Sequence, residues 1–137
     1  MQTNPYLFFA GQCEAAFKFY EKVLGGKTEM MLTHAETPAA EQTPAEWQKK
    51  IIHAHMRIGN MLLMASDAPP GHQDDMKGFS LNLSYDTKAE AERVFNALAE
   101  KGEIRMPFQE TFFATGFGML ADQFGAPWMV ICEKKPA

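Results

Sequence analysis

His53, His55 and Arg57 occupy alternate positions in the run IIHAHMRI (residues 51–58), and alternation along a strand puts all three side chains on one face. Two imidazoles two residues apart can share a metal ion. An arginine in the same row raises the cost of a cation and suits an anion such as a carboxylate or phosphonate. The row therefore admits three readings: a solvent-facing or interface strip, a wall for an anionic ligand, or a displaced metal site. Glu110 and Asp67 are placed at strand ends beside apolar runs. A carboxylate enclosed by apolar groups has a raised pKa and can act as a general base, whereas in a turn it caps the chain. Glu110 and His55 are the catalytic candidates. Phe112, Phe113, Phe117 and Trp128 offer faces for stacking a flat ligand, or bulk for a core or subunit interface. Cys13 and Cys132 have neither a base partner nor metal-knuckle spacing, so no nucleophile is signalled.

The bulk numbers restrict what these residues can serve. A length of 137 residues suits one domain, or two small modules sharing a core. A net charge of -4, with arginine only at positions 57, 93 and 105, argues against a nucleic-acid footprint. Two cysteines far apart in sequence do not make a disulfide framework and suggest a reducing cytoplasm. The start, MQTNPYLFFAG, lacks a basic segment followed by a long apolar core, and no apolar run reaches the roughly 20 residues that span a bilayer. A soluble cytoplasmic protein is expected. Ten methionines and eleven phenylalanines can fill irregular apolar space in a core or adapt to varied ligands.

The elements that must position the candidates follow from periodicity. Residues 6–10 read as a first strand. Between 13 and 24, Ala16, Phe19, Tyr20, Val23 and Leu24 recur at helical spacing, and Gly25-Gly26 ends the helix. Residues 27–34 form a second strand. Residues 35–48 have no apolar period and form a long connection, mobile or lid-like, with one helical turn over 44–49 and Trp47 as its anchor. The His-Arg strand turns at Gly59-Asn60 and returns over 61–66. A two-residue turn there places Met56 opposite Leu63 and His55 opposite Met64; a longer turn reverses the faces. Residues 67–77 (DAPPGHQDDMK) are polar and link two halves.

The pattern then restarts: a strand over 79–83, a helix over 88–101 capped by Asp86-Thr87, and strands over 103–108, 116–121 and 127–132. Asp122 to Pro127 reads as a tight hairpin connection, and the apolar run from Trp128 to Cys132 as a strand buried on both faces. The unit β-α-β-β-β thus occurs twice, about 75 residues apart, with FYEKVLGGK (19–27) and FNALAEKGE (95–103) as echoing helix ends.

With both halves in view, the chain resembles the vicinal oxygen chelate superfamily of glyoxalase I, bleomycin-resistance proteins and extradiol dioxygenases. Within it the chain is most similar to the PhnB-like branch, often labelled after demethylubiquinone methyltransferase. The likeness is carried by PYLFFAGQCEAAFKFYEKVLGG (5–26), HAHMRIGNMLLMASD (53–67), GFSLNL (78–83) and QETFFATGFGMLADQFGAPWMV (109–130). It implies an α+β fold, a single domain over 1–137 made of two βαβββ modules (1–67 and 77–137). The strands would curl into a cup with the helices outside. It also implies a homodimer. Metal-using relatives place four ligands in that cup. The matching slots here fall at or near Pro5, Leu63, Ser80 and Met129, and none offers the imidazole or carboxylate that a hard divalent ion needs. A methyl donor is also not provided for, because neither Gly25-Gly26 nor Gly116-Phe117-Gly118 makes a glycine-rich strand-to-helix cradle.

The resulting expectation is a metal-free protein that binds a small, partly apolar ligand, with an anionic group as one option. His53, His55, Arg57, Leu63, Met129, Phe112 and Trp128 would line the site, and neither nucleic acid nor membrane would be a partner. The alternatives are a lyase, isomerase or dioxygenase-type enzyme with a displaced divalent metal, and a protein whose aromatic faces serve assembly alone.

Overall fold

The computed structural model describes residues 1–135, and the chain divides between Asp74 and Asp75 into two units. The first runs β1 (Tyr6–Phe9), α1 (Cys13–Leu24), β2 (Lys27–Thr33), β3 (Ile51–Ile58) and β4 (Met61–Asp67). The second runs β5 (Leu81–Ser84), α2 (Lys88–Ala99), β6 (Glu103–Gln109), β7 (Ala114–Ala121) and β8 (Pro127–Glu133). Strand order is β1-β4-β3-β2 in one sheet and β5-β8-β7-β6 in the other. In each sheet the first pair is parallel and the other two are antiparallel. The two sheets have one topology, so the tandem βαβββ repeat and the α+β class expected from the sequence are what the chain forms.

In the first unit, α1 buries Cys13, Ala16, Phe17 and Tyr20, an i, i+3, i+4, i+7 stripe. Phe17, not Phe19, carries the apolar face; burying an aromatic of this size contributes roughly 2–3 kcal/mol. The phase of the stripe is set at its first residue. Gln12 provides no side-chain cap; instead Asp67 Oδ1, from the end of β4, accepts the Cys13 N–H at 2.9 Å. Gly25 closes the helix in the left-handed region at φ 67°, as a C-terminal glycine does. The two-residue turn after β3 sets the register, pairing Met56 with Leu63 and His55 with Met64. Met56, Leu63, Ala54, Ala65 and Leu7 are buried and share the face of Asp67, which is the face that meets α1.

The long connection is tied down rather than loose. It winds through three short 3-10 turns, His34–Glu36, Pro38–Gln42 and Ala45–Trp47, where the sequence suggested one. Gln48 Nε2 donates to Ala40 O at 2.8 Å and to Thr43 O at 2.7 Å. Lys50 Nζ donates to Gly11 O at 2.8 Å and lies 5.7 Å from the Trp47 ring.

In the second unit, Thr87 caps α2 by accepting the Glu90 N–H at 3.2 Å, and the helix buries Ala91, Val94, Phe95 and Leu98. Gly118 gives Phe95 room: a Cβ there would lie 2.6 Å from the ring. The side of the sheet that carries Gly118, Val130, Leu120 and Trp128 therefore faces α2. The β7–β8 turn closes on Asp122, whose Oδ1 accepts the N–H groups of Phe124 at 2.9 Å and Ala126 at 3.0 Å. Gly125, at φ 87°, supplies the positive φ expected of it.

Candidate functional site

The free face of the first sheet, opposite α1, collects the polar chemistry. Its cross-strand rows follow from the register. Tyr6, Met64, His55 and Met30 stand side by side, each on a neighbouring strand. Phe8 pairs with Ser66, and continuing the pairing of Ala54 with Ala65 sets His53 beside Ser66. The alternating row His53, His55 and Arg57 thus lies on this face, away from Leu63.

Several of these side chains have neighbours on the face. The Tyr6 hydroxyl is 3.0 Å from His53 Nδ1, and the two rings stack with centroids 5.6 Å apart and planes at 21°. Phe8 continues the aromatic surface, its centroid 5.0 Å from that of Tyr6. Glu29 Oε1 lies 3.6 Å from both His55 Nδ1 and Arg57 Nη2. The Arg57 charge in this row is therefore balanced by one carboxylate. Tyr6 and Glu29 are the residues that sequence reasoning missed. A register shift between Thr28 and Met30 puts Glu29 out of the simple alternation of β2, so no period could have revealed it. Beside Phe8 and Ser66 a cleft of about 280 Å³ opens, bounded further by Asp67, Ala68, Pro69, His72 and Asp74. That volume approaches the lower end of small-molecule sites.

The remaining expected residues are distributed elsewhere. Leu63 is fully buried on the α1 side, so Met64 and not Leu63 presents itself on the free face. Trp128 is also fully buried; its Nε1 donates to Asp122 Oδ2 at 2.9 Å, which makes it a core residue of the second unit instead of a stacking platform. Met129 is half-buried on the second sheet's free face, paired with Asn82 and Met119. Phe112 is 91% exposed between β6 and β7, edge-on to Phe113 at 5.1 Å. Glu110 is exposed and ion-paired with Lys134 at 3.0 Å, and that bond and charge hold its carboxyl below the usual range. The raised pKa sought in a general base is the opposite shift. Asp67 is buried with both oxygens engaged by backbone, Oδ1 by Cys13 N–H and Oδ2 by Ile51 N–H, each at 2.9 Å. It caps two backbone segments at once. Burial first, then the Asp67 and Glu14 charges, push the Cys13 thiol far up. A thiol so held is a poor nucleophile.

The slots that the family resemblance marks for metal donors hold Pro5, Leu63, Ser80 and Met129, none of them an imidazole or a carboxylate. The free-face positions beside the expected slots carry Tyr6 and Met64 in one sheet and Asn82 and Met129 in the other. Among the described residues, no group of three or more His, Cys, Asp and Glu side chains is placed to hold a metal. Glu29 and His55 supply one oxygen and one nitrogen, short of the usual set.

The model of the Glyoxalase/Bleomycin resistance protein/Dioxygenase superfamily matches residues 2–130. Protein YjdN from Escherichia coli (strain K12) is 39% identical, covering 98% of this chain and 97% of its own. The crystal structure of protein PA1353 from Pseudomonas aeruginosa is 48% identical and superposes with a TM-score of 0.88, covering 98% of this chain and 99% of that one. The PhnB protein from Bacillus cereus shares the fold at 24% identity, with a TM-score of 0.82 over 96% of this chain and 99% of that one.

Proposed function

The chain belongs to the glyoxalase/bleomycin resistance protein/dioxygenase superfamily, and from that membership we propose that it is a PhnB-like member working without a divalent metal, which binds a small, partly apolar ligand carrying an acidic oxygen. The first sheet's free face is the binding wall. The observation that carries this reading is the bonded, stacked Tyr6–His53 pair beside Phe8 and the cleft, with Arg57 further along the same strand face as His53. The aromatic rings take the apolar part of the ligand. Arg57 takes its oxygen, since charge-assisted bonds to guanidinium are the strongest available there, while His53, four residues back along β3, stays with the aromatic end.

Arg57 must exchange partners for this to happen. Its pair with Glu29 is half-exposed and 3.6 Å long, and such surface pairs are worth about 0–1 kcal/mol. A ligand carboxylate or sulfonate can therefore replace Glu29 at little cost. Apolar residues exposed on the second unit, Ile104, Met106 and Phe112, support a homodimer as the working form. Two free, buried cysteines suit a reducing cytoplasm.

The test is a fluorescence titration with 8-anilinonaphthalene-1-sulfonate, a flat aromatic anion. Saturable binding near one per chain is expected, tightened several-fold in Glu29→Gln and weakened about tenfold in Arg57→Gln. Absence of saturation, or indifference to both substitutions, contradicts the proposal.

A further inference from the structure

The ligand-binding reading leaves the methionines of the first sheet unexplained. Met30, His55 and Met64 stand directly opposite one another on β2, β3 and β4, all half-buried on the free face. Opposed residues on neighbouring strands have Cβ atoms about 4.5–5.5 Å apart. A methionine side chain has three rotatable bonds, so either thioether can reach over the imidazole between them. His55 Nδ1 is enclosed yet makes no hydrogen bond, and Glu29 Oε1 is 3.6 Å from it. The row thus presents sulfur, nitrogen and sulfur in sequence, with a carboxylate behind the nitrogen.

That donor set selects its ion. Thioethers are poor ligands for hard divalent cations but good ones for soft monovalent ions with a filled d shell, and imidazole serves copper well. The Arg57 charge is opposed by Glu29, and a carboxylate near a ligating imidazole orients the ring and raises its basicity. A single positive charge also costs less to bring to a half-buried site than a double one.

We propose that Met30, His55 and Met64 form a binding site for a soft monovalent cation, Cu(I), for which Ag(I) is the stable stand-in. The ion binds and leaves in one oxidation state, so no electron donor is required. The inference does not depend on the organic-ligand reading, because it rests on the thioethers and on His55, whereas that reading rests on Tyr6, His53 and Arg57. The second sheet supplies a control within the molecule: Met106, Met119 and Met129 are likewise opposed across β6, β7 and β8, without an imidazole among them.

The experiment labels the methionine methyl groups with ¹³C and titrates the intact protein with silver nitrate, followed by anaerobic competition for Cu(I) with bicinchoninate. The Met30 and Met64 methyl signals are expected to move together and saturate at one ion per chain. Met64→Leu, Met30→Leu and His55→Ala should each weaken Cu(I) binding at least tenfold, and Met119→Leu should leave it unchanged. The leucine variants conserve volume, so a loss in them is not a loss of folding. Methyl shifts confined to Met106, Met119 and Met129 would overturn the site. So would silver uptake with no methionine shift, the signature of binding at the cysteine thiols, or an affinity indifferent to all three row variants.

Discussion

Asp67 shows at the scale of one residue how this sequence fixes its first unit. One carboxyl oxygen holds the first amide of α1 and the other holds the first amide of β3, so three chain segments meet on a buried side chain. Leaving two enclosed N–H groups unpaired costs about 1–3 kcal/mol each. Asp67→Ala is therefore expected to lose about 2–6 kcal/mol of stability in urea unfolding, and Asp67→Asn, which keeps one acceptor, clearly less. Cys13 lies next to this carboxylate and gives a pH signature. Its thiol pKa is raised in the folded state, so its contribution is complete below the unfolded thiol pKa of about 8.5 and is lost as pH rises beyond it. The wild-type protein should lose stability above that point more steeply than Cys13→Ala, by up to about 1.4 kcal/mol per pH unit. Equal slopes in the two proteins would remove Cys13 as the cause. For Glu110 the shift is downward: NMR titration should find its carboxyl below the ordinary glutamate range, and Lys134→Met should return it there.

At the scale of elements, two glycines in β7 do structural work for α2 and β6. A Cβ on Gly118 would strike the Phe95 ring, and one on Gly116 would strike the Phe108 ring. Phe95 and Phe108 pack with centroids 5.5 Å apart, so neither ring has an easy retreat. Gly118→Ala is expected to cost about 1–3 kcal/mol, read as a lower melting temperature. The Gly25 helix stop and the Asp122 turn were legible in the sequence because each depends on local backbone chemistry, whereas the need for Gly116 and Gly118 comes from rings on other elements. The β3–β4 register was legible as one of two options, and the two-residue turn chose between them. What escaped the sequence depended on side-chain contacts between elements, which neither period nor turn chemistry reveals. Phe17 displaced Phe19 from the buried stripe because the helix is phased by Asp67, 54 residues away from Cys13. Glu29 came into the His-Arg row through a bulge, and Trp128 turned inward to a carboxylate six residues earlier.

At the scale of the whole molecule, the two units repeat one topology but divide their chemistry. The first carries the histidine and arginine row, and the second a buried cluster of Ala114, Phe117 and Ile131 with Met119 and Met129 packed against it. No helix among the described residues is long and apolar enough to cross a membrane. Metal analysis of the purified protein is expected to find far less than one zinc, nickel, iron or manganese per chain; a value near one would contradict the reading without a divalent metal. The central claim, that the first sheet's free face is a binding wall, is tested most directly by following the histidine ring signals by NMR as 8-anilinonaphthalene-1-sulfonate is added. The account expects the His53 and His55 rings to shift together and saturate at one ligand per chain while the His34 ring, hydrogen-bonded within the long connection, stays still. Saturable binding that leaves His53 and His55 unmoved would contradict it.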